Sequence, residues 1–235
     1  MVGGTQQPRP GTLLDLLDEP LRGELGSLGI STRFSRGERL IHVGDPGEWV
    51  MLVTSGVAQV VGEDANGATV ILDVAAAGDL IGEAAVLDPD HPQRMASVVA
   101  MSTVVVRRIP APEFRAFLDK RSEAAIGLLV IANRRMRIAQ HQRTVTQTRV
   151  SFQHIAERLD YLLDTCGYRT EHGWAFTVPW TREDLADFIP TGRTTLITKL
   201  TRFEEQGIIA RARKFITVAD RARLTAVAQG RTALD

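Results

Sequence analysis

Between Thr181 and Ile209 the chain reads TREDLADFIPTGRTTLITKLTRFEEQGII, and its polar side chains recur at helical intervals. Arg193, Thr194, Thr195, Thr198 and Lys199 are small hydroxyls and cations on one face. Such groups donate to phosphate oxygens or to base edges. Thr181, Arg182 and Gly192 flank them and join the same candidate DNA surface. Arg211, Arg213 and Lys214 then cluster between two short apolar runs, where basic side chains at a hairpin tip meet backbone phosphates. Nothing in the chain matches a Walker phosphate loop, HExxH or GxSxG, so it is read as a binding protein rather than an enzyme.

These donors need two short helices to hold them. Thr181 followed by Glu183 and Asp184 is an N-cap with acids in the first turn. Leu185, Ala186 and Ile189 give the first helix an apolar face, and Pro190 ends it, because the residue before a proline is pushed out of the α region. A second helix starts near Arg193 with Leu196, Leu200 and Phe203 buried. Two helices across a tight turn form a helix-turn-helix. Ile208–Ala210 and Phe215–Val218 add a hairpin wing, and Arg221–Gln229 a closing helix.

Charge supports a nucleic-acid partner for this half alone. Residues 1–120 carry 10 basic and 16 acidic side chains, a balance of −6, and residues 121–235 carry 18 and 12, a balance of +6. The zero net charge of the whole chain hides that division. The one cysteine, Cys166, excludes an internal disulfide framework and an all-cysteine iron–sulfur site. With no apolar run of membrane-spanning length and no leader pattern, the expected setting is cytoplasmic, without a membrane partner. His42, His91 and His141 are isolated and define no metal site.

The first half has another pattern. Leu13–Leu28 reads as one or two short helices with Pro20 as a break. Short β-rich runs follow at Arg39–Val43, Trp49–Thr54, Val57–Gly62, Ala68–Val74, Ala96–Ala100 and Thr103–Ile109. Asn66–Gly67 between two of them is a hairpin signal. So many short strands suggest an antiparallel jelly roll closing around a pocket. Pro110–Lys120 is a short helix, and a long one runs from about Ser122 to Arg143. Its Leu128, Ile131, Ile138 and Val145 recur near heptad spacing, a stripe that can dock on its own domain or pair with a second copy. Phe152–Thr165 is a further helix, and Trp174–Val178 is strand-like. The fold class is α+β: an N-terminal β-roll over 12–120, a long dimerisation helix over 121–146 and a winged helix-turn-helix over 147–235.

In this order the parts resemble the Crp/Fnr family of transcription regulators, over roughly Leu13 to Leu224. RTTLITKLTRFEEQGII is similar to the family's recognition helix, GDLIGE (Gly78–Glu83) to the loop opening its cyclic-nucleotide cassette, and QRMASVVA (Gln93–Ala100) to the cassette arginine and following strand. The resemblance implies that Glu83 bonds a ribose hydroxyl and that Arg94 neutralises a cyclic phosphate, with Gly82, Ala84 and Ala96 lining the loop. Met95 stands where Ser or Thr is usual, and Ala139 and Gln140 stand where adjacent hydroxyls would face the base. The cassette is half kept. Its effector is cyclic AMP (cAMP), cyclic GMP (cGMP), a cyclic dinucleotide or another small anion, or there is no diffusible ligand and Glu83 and Arg94 form a structural ion pair. At the recognition helix, Gly192–Thr195 departs from the family's Ser-Arg-Glu-Thr while keeping Arg193 for guanine. Pro190 replaces a turn glycine. The resemblance implies a homodimer on a palindromic double-stranded DNA operator, with RNA polymerase as a further partner. The alternative is an effector-binding module with a degenerate DNA-binding domain acting through protein contacts.

Overall fold

The computed structural model describes residues 8–63, 67, 69–146, 151–189, 191–212 and 215–234. The chain divides into two compact units, Met1–Met136 and Arg137–Asp235.

In the first unit, Thr12 caps α1 (Leu13–Leu16) and Asp18 caps α2 (Glu19–Ser27), each side chain accepting a backbone N–H of the first turn. Pro20 falls within the first turn of α2. It opens that helix instead of breaking one, since its missing N–H has no intrahelical role there. Eight strands follow: β1 (Ile30–Phe34), β2 (Arg39–Ile41), β3 (Trp49–Ser55), β4 (Val57–Glu63), β5 (Thr69–Ala76), β6 (Leu80–Ile81), β7 (Ser97–Ala100) and β8 (Val104–Pro110). They form two antiparallel four-stranded sheets, ordered β1-β8-β3-β6 and β2-β7-β4-β5. That is the expected roll. β1 and β6 were not among the expected strands; β1 is polar and half-exposed, and β6 has only two residues. The Asn66–Gly67 hairpin falls partly outside the described residues, though β4 and β5 pair on either side of it, with a register shift between Val60 and Val61.

Alternation along β3 feeds two cores. Met51 and Val53 meet Ile41, Val98, Val104 and Val106 between the sheets. Val50 and Leu52 face the other way, beside Ile109 of β8 and onto Leu13, Leu25, Phe114 and Phe117 of the helical layer. That layer comprises α1, α2, α4 (Ala111–Lys120) and the start of α5 (Ser122–Thr146). A short helix, α3 (Glu83–Leu87), follows β6.

The second unit holds the rest of α5, then α6 (Phe152–Cys166), β9 (Gly167–Thr170), β10 (Gly173–Phe176), α7 (Arg182–Phe188), α8 (Arg193–Glu205), β11 (Ile209–Ala212), β12 (Phe215–Val218) and α9 (Arg221–Ala228). Its sheet runs β11-β12-β10-β9, so the expected wing is anchored to a second hairpin. Ile155, Leu159, Trp180, Leu185, Phe188, Leu196, Leu200, Phe203 and Leu224 form a buried core. Among the described residues no helix is long and apolar enough to cross a membrane.

Candidate functional site

The helix-turn-helix is rigidly framed. Thr181 Oγ1 accepts the Asp184 N–H at 3.1 Å while the Asp184 carboxylate accepts the Thr181 N–H at 2.8 Å, a reciprocal capping box. Ile189 leaves the helix in extended conformation, as a residue preceding proline must. Pro190 itself lies outside the described residues, but Thr191 N–H donates to the Ile189 carbonyl at 2.6 Å. α8 ends in a Schellman motif: Gly207 takes φ 68°, Ile208 N–H reaches the Phe203 carbonyl, and Gly207 N–H reaches that of Glu204.

On α8, Leu196, Leu200 and Phe203 are buried, so Gly192, Arg193, Thr194, Thr195 and Thr198 face solvent. The Thr198 hydroxyl donates to the Thr194 carbonyl and keeps its acceptor lone pairs outward. Arg193 donates to the Glu183 carboxylate at 2.7 Å. Lys199 is turned aside, its Nζ 3.9 Å from the Phe152 ring centre on α6. Arg182 is largely buried and bridges to Glu204 at 2.8 Å, tying α7 to α8. Both cations therefore serve internal contacts. β11 and β12 pair from Ile209↔Val218 to Ala212↔Phe215, but Arg213 and Lys214 lie outside the described residues.

The roll cassette gathers around Gly82. This residue caps α3 with φ 81°, and a Cβ there would stand 2.5 Å from Arg94 Nη1, so only glycine fits. Arg94 is buried. Its two Nη atoms donate to the Gly82 and Trp49 carbonyls, and its guanidinium carbon lies 5.7 Å from the Trp49 ring centre. Burial pulls its pKa down, opposed by the fields of Glu83 and Asp45. Its backbone is pinned too, with Arg94 N–H on the Asp45 carbonyl and Gly44 N–H on the Arg94 carbonyl, each at 2.8 Å.

Glu83 is bonded elsewhere. Its carboxylate accepts from Arg135 on α5, which also donates to the Leu80 carbonyl at 3.0 Å. The alternative of a structural Glu83–Arg94 ion pair is not what the fold forms: backbone carbonyls accept from Arg94, and a helix arginine takes the carboxylate. Met95 is 78% exposed, Ala84 is exposed and Ala96 half-buried. Ser97, absent from the sequence-based set, is buried and accepts the Val43 N–H at 3.0 Å. Ala139 and Gln140 are exposed positions of α5 beyond Met136, in the second unit.

As arranged, Glu83 has a charged partner in Arg135, while Arg94 is held by two backbone carbonyls and its buried Nε has no hydrogen-bond partner among the described residues. A phosphate at Arg94 would meet the N–H donors that the two carbonyls leave over, and a hydroxyl at Glu83 must share or displace Arg135. Among the described residues no cluster of His, Cys, Asp and Glu could hold a metal ion.

A β-roll carrying this cassette, joined through a long helix to a winged helix-turn-helix, defines a two-domain class of protein. A family model for the cyclic nucleotide-binding domain matches residues 31–121, and one for the Crp-like helix-turn-helix domain matches residues 153–227. The chain is 24% identical over 193 residues to the CRP-like cAMP-activated global transcriptional regulator of Mycobacterium tuberculosis, covering 81% of this chain and 84% of that one. It is 28% identical over 204 residues to the probable transcriptional regulator flp of Lacticaseibacillus casei, covering 86% and 89%. In fold it is similar to FixK2 from Bradyrhizobium japonicum, with a TM-score of 0.70, 17% identity, and coverage of 85% of this chain and 97% of that one. The chain belongs to the Crp/Fnr family.

Proposed function

We propose that this protein is a homodimeric, sequence-specific DNA-binding transcription regulator with an effector-responsive roll. One observation carries the reading. The outward face of α8 presents Arg193, Thr194, Thr195 and Thr198 from a helix whose C-terminal end and buried side are fixed. Presented from a recognition helix, these groups suit the major groove, where Arg193 reads guanine. Residues 12–120 then serve as the sensing part, 121–146 as the connector and 147–235 as the DNA-binding part, acting in the cytoplasm where the operator lies.

A stripe on α5 supports the dimer. Leu128 and Ile131, from the heptad read in the sequence, are buried in their own unit. The neighbouring face leaves Ile126, Leu129, Val130 and Met136 exposed, an apolar seam at helical spacing suited to a second copy. Two recognition helices related by such a seam suit a palindromic operator, with half-sites about one helical turn apart.

The Mycobacterium tuberculosis relative is named as cAMP-activated, which makes cAMP the first effector to test, followed by cGMP and cyclic dinucleotides. An effector that prefers the DNA-competent arrangement raises operator affinity by population shift. The test is a gel-shift titration of the full chain against duplexes enriched from a random pool, with Arg193→Ala beside it. Loss of about 1–3 kcal/mol of specific binding in the variant supports the reading. Undiminished affinity for the enriched duplex refutes the assigned recognition helix.

A further inference from the structure

Arg193 does not stand alone on the recognition face. It is the first residue of α8, and Glu183, near the start of α7, accepts its Nη2 donor at 2.7 Å. Both side chains are more than half exposed, so the contact adds little to folding. Asp184 beside it is committed to the capping box, and Asp187 lies within the field of Asp184, Glu183 and Arg193. The other outward groups at this end of α8 are Gly192, Thr194, Thr195 and Thr198, none of them charged. The leading cation of the face is therefore neutralised by its own protein.

That arrangement has two effects on DNA. A carboxylate beside Arg193 weakens its attraction for any phosphate, the sequence-independent part of binding. The same carboxylate engages one edge of the guanidinium and holds its plane, leaving other N–H donors to a base edge. Holding the fork in place lowers the entropy lost when it meets guanine O6 and N7. We infer that Glu183 is a specificity-determining positioning residue, which suppresses non-specific binding and orients Arg193 for guanine. The inference rests on the DNA-binding reading above.

The experiment compares the full chain with Glu183→Ala, Glu183→Gln and Glu205→Gln on two duplexes: the sequence enriched by the wild type and a scrambled one. Glu205 pairs with Arg202 near the far end of α8 and controls for bulk charge. Glu183→Ala is expected to bind the scrambled duplex more tightly and the enriched one more weakly, lowering their affinity ratio about tenfold. Glu183→Gln keeps an acceptor for Nη2, so it should restore affinity for the enriched duplex while scrambled binding stays raised. Glu205→Gln should leave the ratio unchanged. If Glu183→Ala moves both affinities by one factor, as Glu205→Gln does, Glu183 acts as mere charge and the inference fails. A wild-type chain that enriches no sequence and binds DNA without salt dependence overturns the DNA-binding reading instead.

Discussion

Glu83 on α3 is bonded to Arg135 on α5, across 52 residues of sequence, and leaves Arg94 to the backbone. The acid that the family resemblance assigns to a ribose is thereby joined to the helix that leads out of the roll. A ligand at Glu83 must share that carboxylate with Arg135 or displace it.

A double-mutant cycle on Glu83→Gln and Arg135→Gln should yield a coupling of about 0.5–1.5 kcal/mol in chemical denaturation, the usual range for a contacting, partly exposed pair. Calorimetric titration with cAMP should show tighter binding in Arg135→Gln than in the wild type, since Glu83 is released. Equal or weaker binding in the variant would mean that Arg135 helps to hold the ligand.

Arg94 has a structural duty whatever it binds. Arg94→Ala leaves the Gly82 and Trp49 carbonyls without their donor in a buried place and should destabilise the first unit by about 2–4 kcal/mol. Arg94→Lys cannot reproduce the fork and should recover little of that loss. A denaturation midpoint unchanged in Arg94→Ala would contradict the bonding described. Loss of effector binding in that variant must be read beside its folding.

The two faces of α5 should separate stability from assembly. Leu128→Ala empties a buried site and should cost about 2–4 kcal/mol, with the dimer retained under native conditions. Leu129→Glu places a charge on the exposed seam and should yield folded monomers in sedimentation. A dimeric Leu129→Glu chain would move the seam elsewhere.

Asp79 supplies a pH test. Burial raises its pKa above the ordinary carboxylate value, against the opposing pull of Arg9, the Ala76 N–H and Arg135. The folded state therefore holds this proton more tightly than the unfolded chain does. Its contribution to stability is complete below the unfolded value near 3.9 and is lost as pH rises through the folded pKa. The stability difference between wild type and Asp79→Asn should accordingly shrink or reverse with rising pH. A difference that grows with pH would mean that the ion pair to Arg9 outweighs burial.

Local chemistry made much of this molecule readable in advance. Thr181 and Asp184 announce their cap, β3, β4 and β8 are short Val-rich runs of strand length, and Leu196, Leu200 and Phe203 share one helical face. Elements without such signals escaped: β1, whose Ser31, Thr32 and Arg33 are paired chiefly by β8, and β9, whose GYRT carries no alternation. The site residues were legible by type, their partners less so. Arg135, Arg182 and Lys199 are cations in the sequence, but their contacts with Glu83, Glu204 and Phe152 bring together residues distant along the chain. No spacing rule reaches that far.

β3 faces two cores and is paired by β8 along its length and by β6 at Met51 and Leu52. From Val50 to Val53 the strand has no solvent face, and at Met51 and Leu52 it has no free edge. The amides of Val50–Val53 should exchange with solvent only when the whole unit unfolds, forming its slowest-exchanging segment.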